Sequence, residues 1–114
     1  MLVGVTHEDV FGPIVVCGAG GTTAELMKDI AVRIAPVTDV TAHEMIRSLT
    51  TYPLLEGYRG APVADAPALE DLLLRVSTMA AEHAAVQEVD CNPVMVRECG
   101  ATVVDSRIRV AASA

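Results

Sequence analysis

Residues 88–96 read E-V-D-C-N-P-V-M-V, and this stretch decides how the chain can fold. Its valine, cysteine and methionine residues are typical of a buried β-strand. The same strand carries an acid, Asp90, and an amide, Asn92, two residues apart. Because successive side chains of a strand point to opposite faces, these two polar groups share one face. Polar groups on such a strand cost stability unless they bind something, so this face is a candidate ligand site.

A second strand, predicted from Thr102 to Val110, follows a short turn after residues 89–96. A tight hairpin centred between Glu98 and Cys99 places Asn92 opposite Asp105 and Asp90 opposite Arg107. Opposed Cβ atoms lie about 4.5–5.5 Å apart. Two oxygen-bearing side chains at that separation can reach one Mg²⁺ at roughly 2.1 Å each. The spacing therefore predicts that Asn92 and Asp105 are magnesium ligands.

Two alternatives to this magnesium site remain open from the pattern alone. A β-bulge at Gly100 would slip the register by one residue and turn Asp105 away from Asn92. The hairpin could also be a solvated surface feature in which Asp90 and Arg107 form an ordinary ion pair. Asp and Asn are unfavourable strand residues, which favours a functional reading over both.

The segments before this hairpin predict further strands at residues 2–6, 14–17 and 30–35, with a polar turn at His7–Asp9. A glycine-rich loop, G-A-G-G-T-T at residues 18–23, follows the second of these strands.

Two helices are predicted in the middle of the chain. The first begins with a capping box at Thr41–Glu44 and ends at Tyr52–Pro53. Asp65 caps the second, which runs from about Pro67 to about Ala85 and buries the stripe Leu69, Leu72, Leu73, Val76, Met79 and Ala80. The order strands, helices, strands predicts an α+β fold with a mostly antiparallel sheet packed against two helices.

Composition excludes several functional classes. Of the 114 residues, 52% are apolar but only one is Phe and none is Trp, so the core must be aliphatic. A net charge of −7 without a basic cluster excludes nucleic-acid binding. No apolar run approaches the roughly 20 residues of a membrane span. Cys17, Cys91 and Cys99 lack C-x-x-C spacing, which favours three reduced thiols in a cytoplasmic protein.

Four blocks in this order resemble one known module: F-G-P-I-V-V-C-G-A-G-G-T-T-A-E-L-M-K-D-I-A-V-R-I-A-P at 11–36, Y-P-L-L-E-G-Y-R-G at 52–60, E-V-D-C-N-P-V-M-V at 88–96 and V-V-D-S-R-I at 103–108. The module is the ATP-grasp portion of NDP-forming acyl-CoA synthetases, including ADP-forming acetyl-CoA synthetase. The D-x-N-P block also resembles the E-x-N-P strand of the succinyl-CoA synthetase β subunit.

The resemblance implies roles for individual residues. It makes Asn92 and Asp105 the Mg²⁺ ligands, the same pair that the hairpin register brings together. It places Asp90 and Arg107 at the nucleotide phosphates. The remaining matches to the nucleotide-binding part of the family are Gly18, Gly20, Gly21 and Glu25, with Asp29 completing an E-x-x-x-D pattern whose role is open.

The resemblance also implies that residues 1–114 form only the second, C-terminal lobe of an ATP-grasp domain, as a fragment of a multidomain synthetase. The expected partners are the first lobe with its adenine and lysine contacts, a CoA-binding domain and a domain with a phosphorylated histidine. The expected cofactors are Mg²⁺ and ATP or another NTP, with CoA in the complete enzyme. The chain alone is then expected to be inactive.

The competing prediction is a non-catalytic module derived from such a lobe, which self-associates into a homo-oligomer. An isolated lobe exposes apolar surface that once met its neighbour, and Val3, Val5 or the glycine loop would supply it here. The sequence offers no nucleophile paired with a base, so a stand-alone enzyme is disfavoured.

Overall fold

The computed structural model describes residues 1–20 and 29–112. Within these ranges the strands are β1 (Leu2–Glu8), β2 (Gly12–Gly18), β3 (Ile30–Ile34), β4 (Val86–Cys91), β5 (Val94–Val96), β6 (Ala101–Val103) and β7 (Ser106–Val110). The α-helices are α1 (Asp39–Arg47) and α2 (Ala66–Glu82), and two short 3₁₀ helices, Tyr52–Glu56 and Tyr58–Gly60, lie between them.

Five strands form one antiparallel sheet in the order β3-β2-β1-β4-β7, and β5 and β6 form a separate antiparallel pair. In the five-stranded sheet, alternate residues of each strand point toward the same face, so the buried side chains form rows across neighbouring strands. Val3 lies between Cys17 and Cys91, and Val5 lies between Val15 and Val89. All of these side chains are buried. The predicted α+β class with an antiparallel sheet is confirmed.

Both helices cover the same face of this sheet. The helix α2 buries Leu69, Leu73, Val76 and Ala80, which confirms most of the predicted stripe, while Leu72 and Met79 pack against the edge of the core. The helix α1 contributes Ala42, Met45 and Ile46. In the described ranges, every buried side-chain nitrogen or oxygen has a hydrogen-bond partner. No helix there is long and apolar enough to cross a membrane.

The predicted start of the first helix is wrong. The helix α1 begins three residues earlier, because the Thr38 side chain is the N-cap and accepts the Thr41 backbone N–H at 3.2 Å. Val37, the residue before this cap, donates its backbone N–H to the buried Ser77 hydroxyl at 2.8 Å. The predicted end is also wrong, since α1 stops at Arg47. The predicted cap of α2 is confirmed: the Asp65 side chain accepts the Ala68 N–H at 3.1 Å.

Two strand predictions also need correction. The predicted turn at His7–Asp9 lies two residues too early, because β1 continues to Glu8, whose carboxylate accepts the Val10 and Phe11 N–H groups at 2.7 and 2.8 Å. The two long strands predicted for the terminal hairpin are each interrupted, between β4 and β5 and between β6 and β7. Proline has no N–H to donate to a ladder, and Pro93 lies at the first interruption.

Candidate functional site

The register of the terminal hairpin is the predicted one. Asp90 lies opposite Arg107 in the β4–β7 pair, and Val94 lies opposite Val103 in the β5–β6 pair. Between these pairs, the Asn92 N–H donates to the Asp105 carbonyl at 3.0 Å. The alternative in which a bulge at Gly100 slips the register is therefore wrong. The irregularity lies instead at the far end of β4, between residues 86 and 88.

Asn92 and Asp105 lie just beyond the β4–β7 ladder, which ends at Cys91 and Ser106, and their backbone hydrogen bond holds the two residues opposite each other. The Asp105 side chain is exposed and Asn92 is half-buried. Amide and carboxylate oxygens are the hard donors that Mg²⁺ prefers. No group of three or more His, Cys, Asp or Glu side chains suited to a metal occurs in the described part of the chain. The chemistry of this donor pair fits a cation that completes its shell with phosphates and water.

Asp90 lies on the sheet face that the helices leave uncovered, and we call this the open face. One row of the open face runs through Val32, Val16, Gly4, Asp90 and Arg107, as the strand registers define. Beside Asp90, Gly4 leaves no room for a side chain, because a Cβ there would lie 2.7 Å from the Val89 carbonyl oxygen. A phosphate approaching Asp90 and Arg107 would meet backbone at this point.

The charges on the open face do not neutralise one another at the candidate site. Of the four ion pairs formed by described residues, none joins Asp90 to Arg107. The neighbouring pair is different, since Arg109 Nη2 lies 3.2 Å from Glu88 Oε1. The Asp90–Arg107 ion pair of the alternative interpretation is therefore not formed, while the exposure of both residues agrees with a solvated polar face. Both charged groups are exposed and accessible to a ligand.

The start of the glycine loop lies against Asn92. Gly20 has φ +80°, and a Cβ built on it would lie 3.1 Å from Asn92 Oδ1 and 3.1 Å from the Met1 carbonyl carbon. Glycine adopts this backbone conformation without strain, and a side chain here would be tight against both atoms. The loop and the hairpin, which are 72 positions apart in the chain, thus meet at one of the predicted ligands. The predicted loop residues Gly21 and Glu25 lie outside the described residues.

The carboxylate of Asp29 has a clear structural environment. It accepts the Thr50 N–H at 2.7 Å, the Thr51 N–H at 3.0 Å and the Thr51 hydroxyl at 2.6 Å, and only 6% of the residue is exposed. Burial alone would raise the pKa of Asp29, but these donors together hold the pKa below its ordinary value. The charged form therefore stabilises the fold at neutral pH, and this contribution is lost as the pH falls through the lowered pKa.

Asp65, which the sequence predicts only as the cap of α2, also holds the turn between β5 and β6. Its Oδ2 accepts the Gly100 N–H at 2.7 Å, and its own N–H donates to the Arg97 carbonyl at 2.7 Å. The cap of α2 and the β5–β6 turn are therefore one connected unit. The local sequence signals only the cap, because the contacts to residues 97 and 100 span more than 30 positions.

The thiols and histidines offer no competing chemistry. Burial raises the pKa of the Cys17 thiol to about 12, and burial together with the nearby Asp90 carboxylate raises the pKa of Cys91. Both are core residues and Cys99 is exposed in the hairpin turn, as predicted. His43 lies beside Glu70 of α2, with Nδ1 and Oε1 3.0 Å apart. A reactive thiolate requires a lowered pKa, so the burial that raises both pKa values disfavours these cysteines as nucleophiles.

Comparison with known proteins identifies the family. The family described as "ATP-grasp domain" matches residues 1–110. The chain belongs to the ATP-grasp domain family. This ATP-grasp chain is 46% identical over 108 residues to "Acetate--CoA ligase [ADP-forming] I" of Archaeoglobus fulgidus. It is 39% identical over 108 residues to "Acetate--CoA ligase [ADP-forming] I subunit beta" of Pyrococcus furiosus.

A solved structure supports the same assignment. The ATP-grasp chain matches dinucleotide forming acetyl-coenzyme A synthetase 1 of Candidatus Korarchaeum cryptofilum with a TM-score of 0.92 and 37% identity. That protein was solved with coenzyme A and Mg-AMPPCP, its phosphohistidine segment pointing towards the nucleotide binding site. The match covers 96% of this chain and 51% of that one. The alignments cover 95% of this chain but only 16% of the A. fulgidus protein and 47% of the P. furiosus subunit.

Proposed function

We propose that residues 1–114 act as the second lobe of an ATP-grasp domain and bind the Mg²⁺ and phosphates of a nucleotide. The observation that carries this proposal is the 3.0 Å hydrogen bond from the Asn92 N–H to the Asp105 carbonyl, which holds the two residues opposite each other. Gly20 against Asn92 adds a backbone surface at the same point. The similarity to a synthetase solved with Mg-AMPPCP supports the choice of ligand.

Each side chain of the site has a distinct task in this proposal. Asn92 and Asp105 supply oxygen ligands for Mg²⁺, which when bound neutralises and orients the phosphates. Arg107 attracts phosphate oxygens by its charge. Asp90 accepts hydrogen bonds from the water molecules around the cation. Gly18, Gly20 and Gly21 let the backbone approach the phosphates or the incoming group closely, and Glu25 belongs to the same loop.

We propose that the whole protein is an NDP-forming acyl-CoA synthetase. It would interconvert acyl-CoA, NDP and phosphate with acid, CoA and NTP through a phosphohistidine. The names of the relatives support this reaction class. The first ATP-grasp lobe, a CoA-binding domain and a phosphohistidine domain would be its partners. The three free thiols favour the cytoplasm as the compartment.

The proposed function predicts weak binding that depends on Mg²⁺ and on phosphate. Residues 1–114 alone should bind Mg²⁺–ATP with a Kd of about 1 mM or weaker, worth about −4 kcal/mol, because in this proposal they form only one of the two sides of the nucleotide clamp. Mg²⁺–tripolyphosphate should bind about equally well, since the proposed contacts are to phosphates. Chemical shifts in an NMR titration would locate the binding. Adenosine binding more tightly than tripolyphosphate, or shifts that leave residues 92 and 105 unchanged, would contradict the proposal.

The competing proposal, a self-associating module, rests on a different surface from the one predicted. Val3 and Val5 cannot supply it, because 0% and 4% of these residues are exposed beneath the helices. The prediction is wrong for Val3 and Val5, since strand alternation directs both side chains toward the helix layer, while residues 21–23 of the glycine loop lie outside the described residues. The specific observation in favour of self-association is the strand β3, whose Ile30, Val32 and Ile34 are 48%, 42% and 53% exposed on the open face.

Sedimentation velocity separates the two proposals. The nucleotide-binding lobe should sediment as a monomer at micromolar concentration, because three exposed side chains on one edge strand bury far less than the roughly 1,200 Å² of a stable interface. The module predicts concentration-dependent association that Mg²⁺–ATP does not alter. Val32→Lys, which places a charge in the middle of the β3 patch, should abolish such association. If the unsubstituted chain dimerises and Val32→Lys does not, the result would favour the self-associating module over the nucleotide-binding lobe.

A further inference from the structure

The base of the glycine loop is tied to the helical layer through one buried residue. The Ala19 N–H donates to the Asp29 carbonyl at 3.2 Å, and this hydrogen bond closes the loop where it leaves β2 and enters β3. A Cβ on Gly18 would lie 2.7 Å from the same carbonyl oxygen. The two ends of the loop are therefore in close backbone contact at Asp29.

The side chain of Asp29 continues this connection away from the sheet. Its three donors belong to Thr50 and Thr51, in the turn that follows α1. The residues on either side of the turn, Leu49 and Leu55, are buried in the core. A carboxylate with three donors in a buried site is held more strongly than a neutral acceptor. Asp29 thus joins the base of the glycine loop to a turn that is anchored in the buried core.

The other side of the loop base meets the candidate site. Gly20, one residue beyond the Ala19–Asp29 hydrogen bond, lies against Asn92 Oδ1. A shift of the loop base would change this contact directly. We propose that Asp29 is a positioning residue: it fixes the base of the glycine loop so that Gly20 stays against Asn92. In this proposal Asp29 acts through Ala19 and Gly20.

Asp29→Asn tests the anchor, because an amide keeps the size of the side chain but presents N–H groups to the Thr50 and Thr51 donors. The first measurement is an amide NMR spectrum without any ligand. We expect the signals of Ala19 and Gly20 and the side-chain amide signal of Asn92 to shift. The second is a titration with Mg²⁺–ATP, where the variant should bind about tenfold more weakly, as for residues that orient metal ligands.

Ser77→Ala is the matched control. It also removes a buried side-chain oxygen that accepts a backbone N–H, from Val37 at 2.8 Å, but this hydrogen bond joins α2 to the segment before α1 rather than to the loop base. It should leave the Ala19 and Gly20 signals and the Mg²⁺–ATP affinity unchanged. Thr51→Val removes only the 2.6 Å hydroxyl donor and should give smaller shifts at the same loop residues, even if Asp29→Asn does not fold.

The choice of Mg²⁺–ATP as ligand rests on the proposed function. The two measurements distinguish a failure of the Asp29 inference from a failure of the proposed function. Unshifted Ala19 and Gly20 signals in Thr51→Val and in a folded Asp29→Asn overturn the anchor. Equal shifts in Ser77→Ala also overturn it, because they would reflect general destabilisation. Shifted signals with unchanged Mg²⁺–ATP affinity overturn the positioning role. A wild-type chain that binds no Mg²⁺–ATP contradicts the proposed function, while the ligand-free spectra still decide the anchor.

Discussion

Replacing Leu73 with Ala is expected to lower the free energy of unfolding by about 2–5 kcal/mol, the usual cost of a large cavity in a core. Leu73 is fully buried on α2 and belongs to the cluster that joins both helices to the sheet. The buried cluster itself is aliphatic, since Phe11 and Tyr58 are 59% and 51% exposed and Tyr52 packs against the cluster only partly buried. Domains of this size are stabilised by about 5–15 kcal/mol, so the loss is a large fraction of the total.

Urea denaturation followed by circular dichroism would measure this effect. Leu54→Ala is the matched control, because it removes the same atoms from a side chain that is 57% exposed, and it should change stability by less than about 0.5 kcal/mol. Equal effects of the two substitutions would mean that α2 does not cover the sheet as described.

The hairpin shows what the sequence alone could predict. A two-residue turn and antiparallel pairing leave one register once the turn is placed, so the Asp90–Arg107 and Val94–Val103 pairs could be predicted from Glu98 and Cys99 alone. The apolar pattern of E-V-D-C-N-P-V-M-V is continuous across the interruption of both strands, so that pattern alone does not predict it. Pro93 was the available signal, since proline interrupts a ladder.

The first helix and Asp29 show why other features could not be predicted. Thr38 and Thr41 are both acceptable N-caps by local chemistry. In the structure Thr38 is the N-cap, and the residue before it, Val37, is hydrogen-bonded to Ser77, 40 positions away. The position of Asp29 in the fold depends on Thr50 and Thr51, more than 20 positions away. Interactions between distant segments have no local pattern, so only the folded chain reveals them.

Asp105→Ala is expected to weaken Mg²⁺ binding at the candidate site by about a hundredfold, since even residues that only orient metal ligands contribute about ten- to a hundredfold. The substitution removes the single carboxylate of the proposed ligand pair. The fold should be unaffected, because the Asp105 side chain is exposed and its backbone carbonyl, which accepts the Asn92 N–H, remains. Mn²⁺ is a suitable probe, because it takes the same oxygen ligands and broadens NMR signals of nearby amides.

The discriminating control is Glu88→Ala, on the same hairpin. It also removes one exposed carboxylate and one negative charge, but Glu88 is paired with Arg109 and lies two residues from Asp90 along β4. A general attraction of cations to an acidic protein depends on its net charge, which both substitutions change by one unit, so both would weaken it. A coordinating site would lose Mn²⁺ broadening at residues 92 and 105 only in Asp105→Ala. Equal losses would exclude direct coordination by Asp105, and with it the magnesium pair on which the proposed function depends.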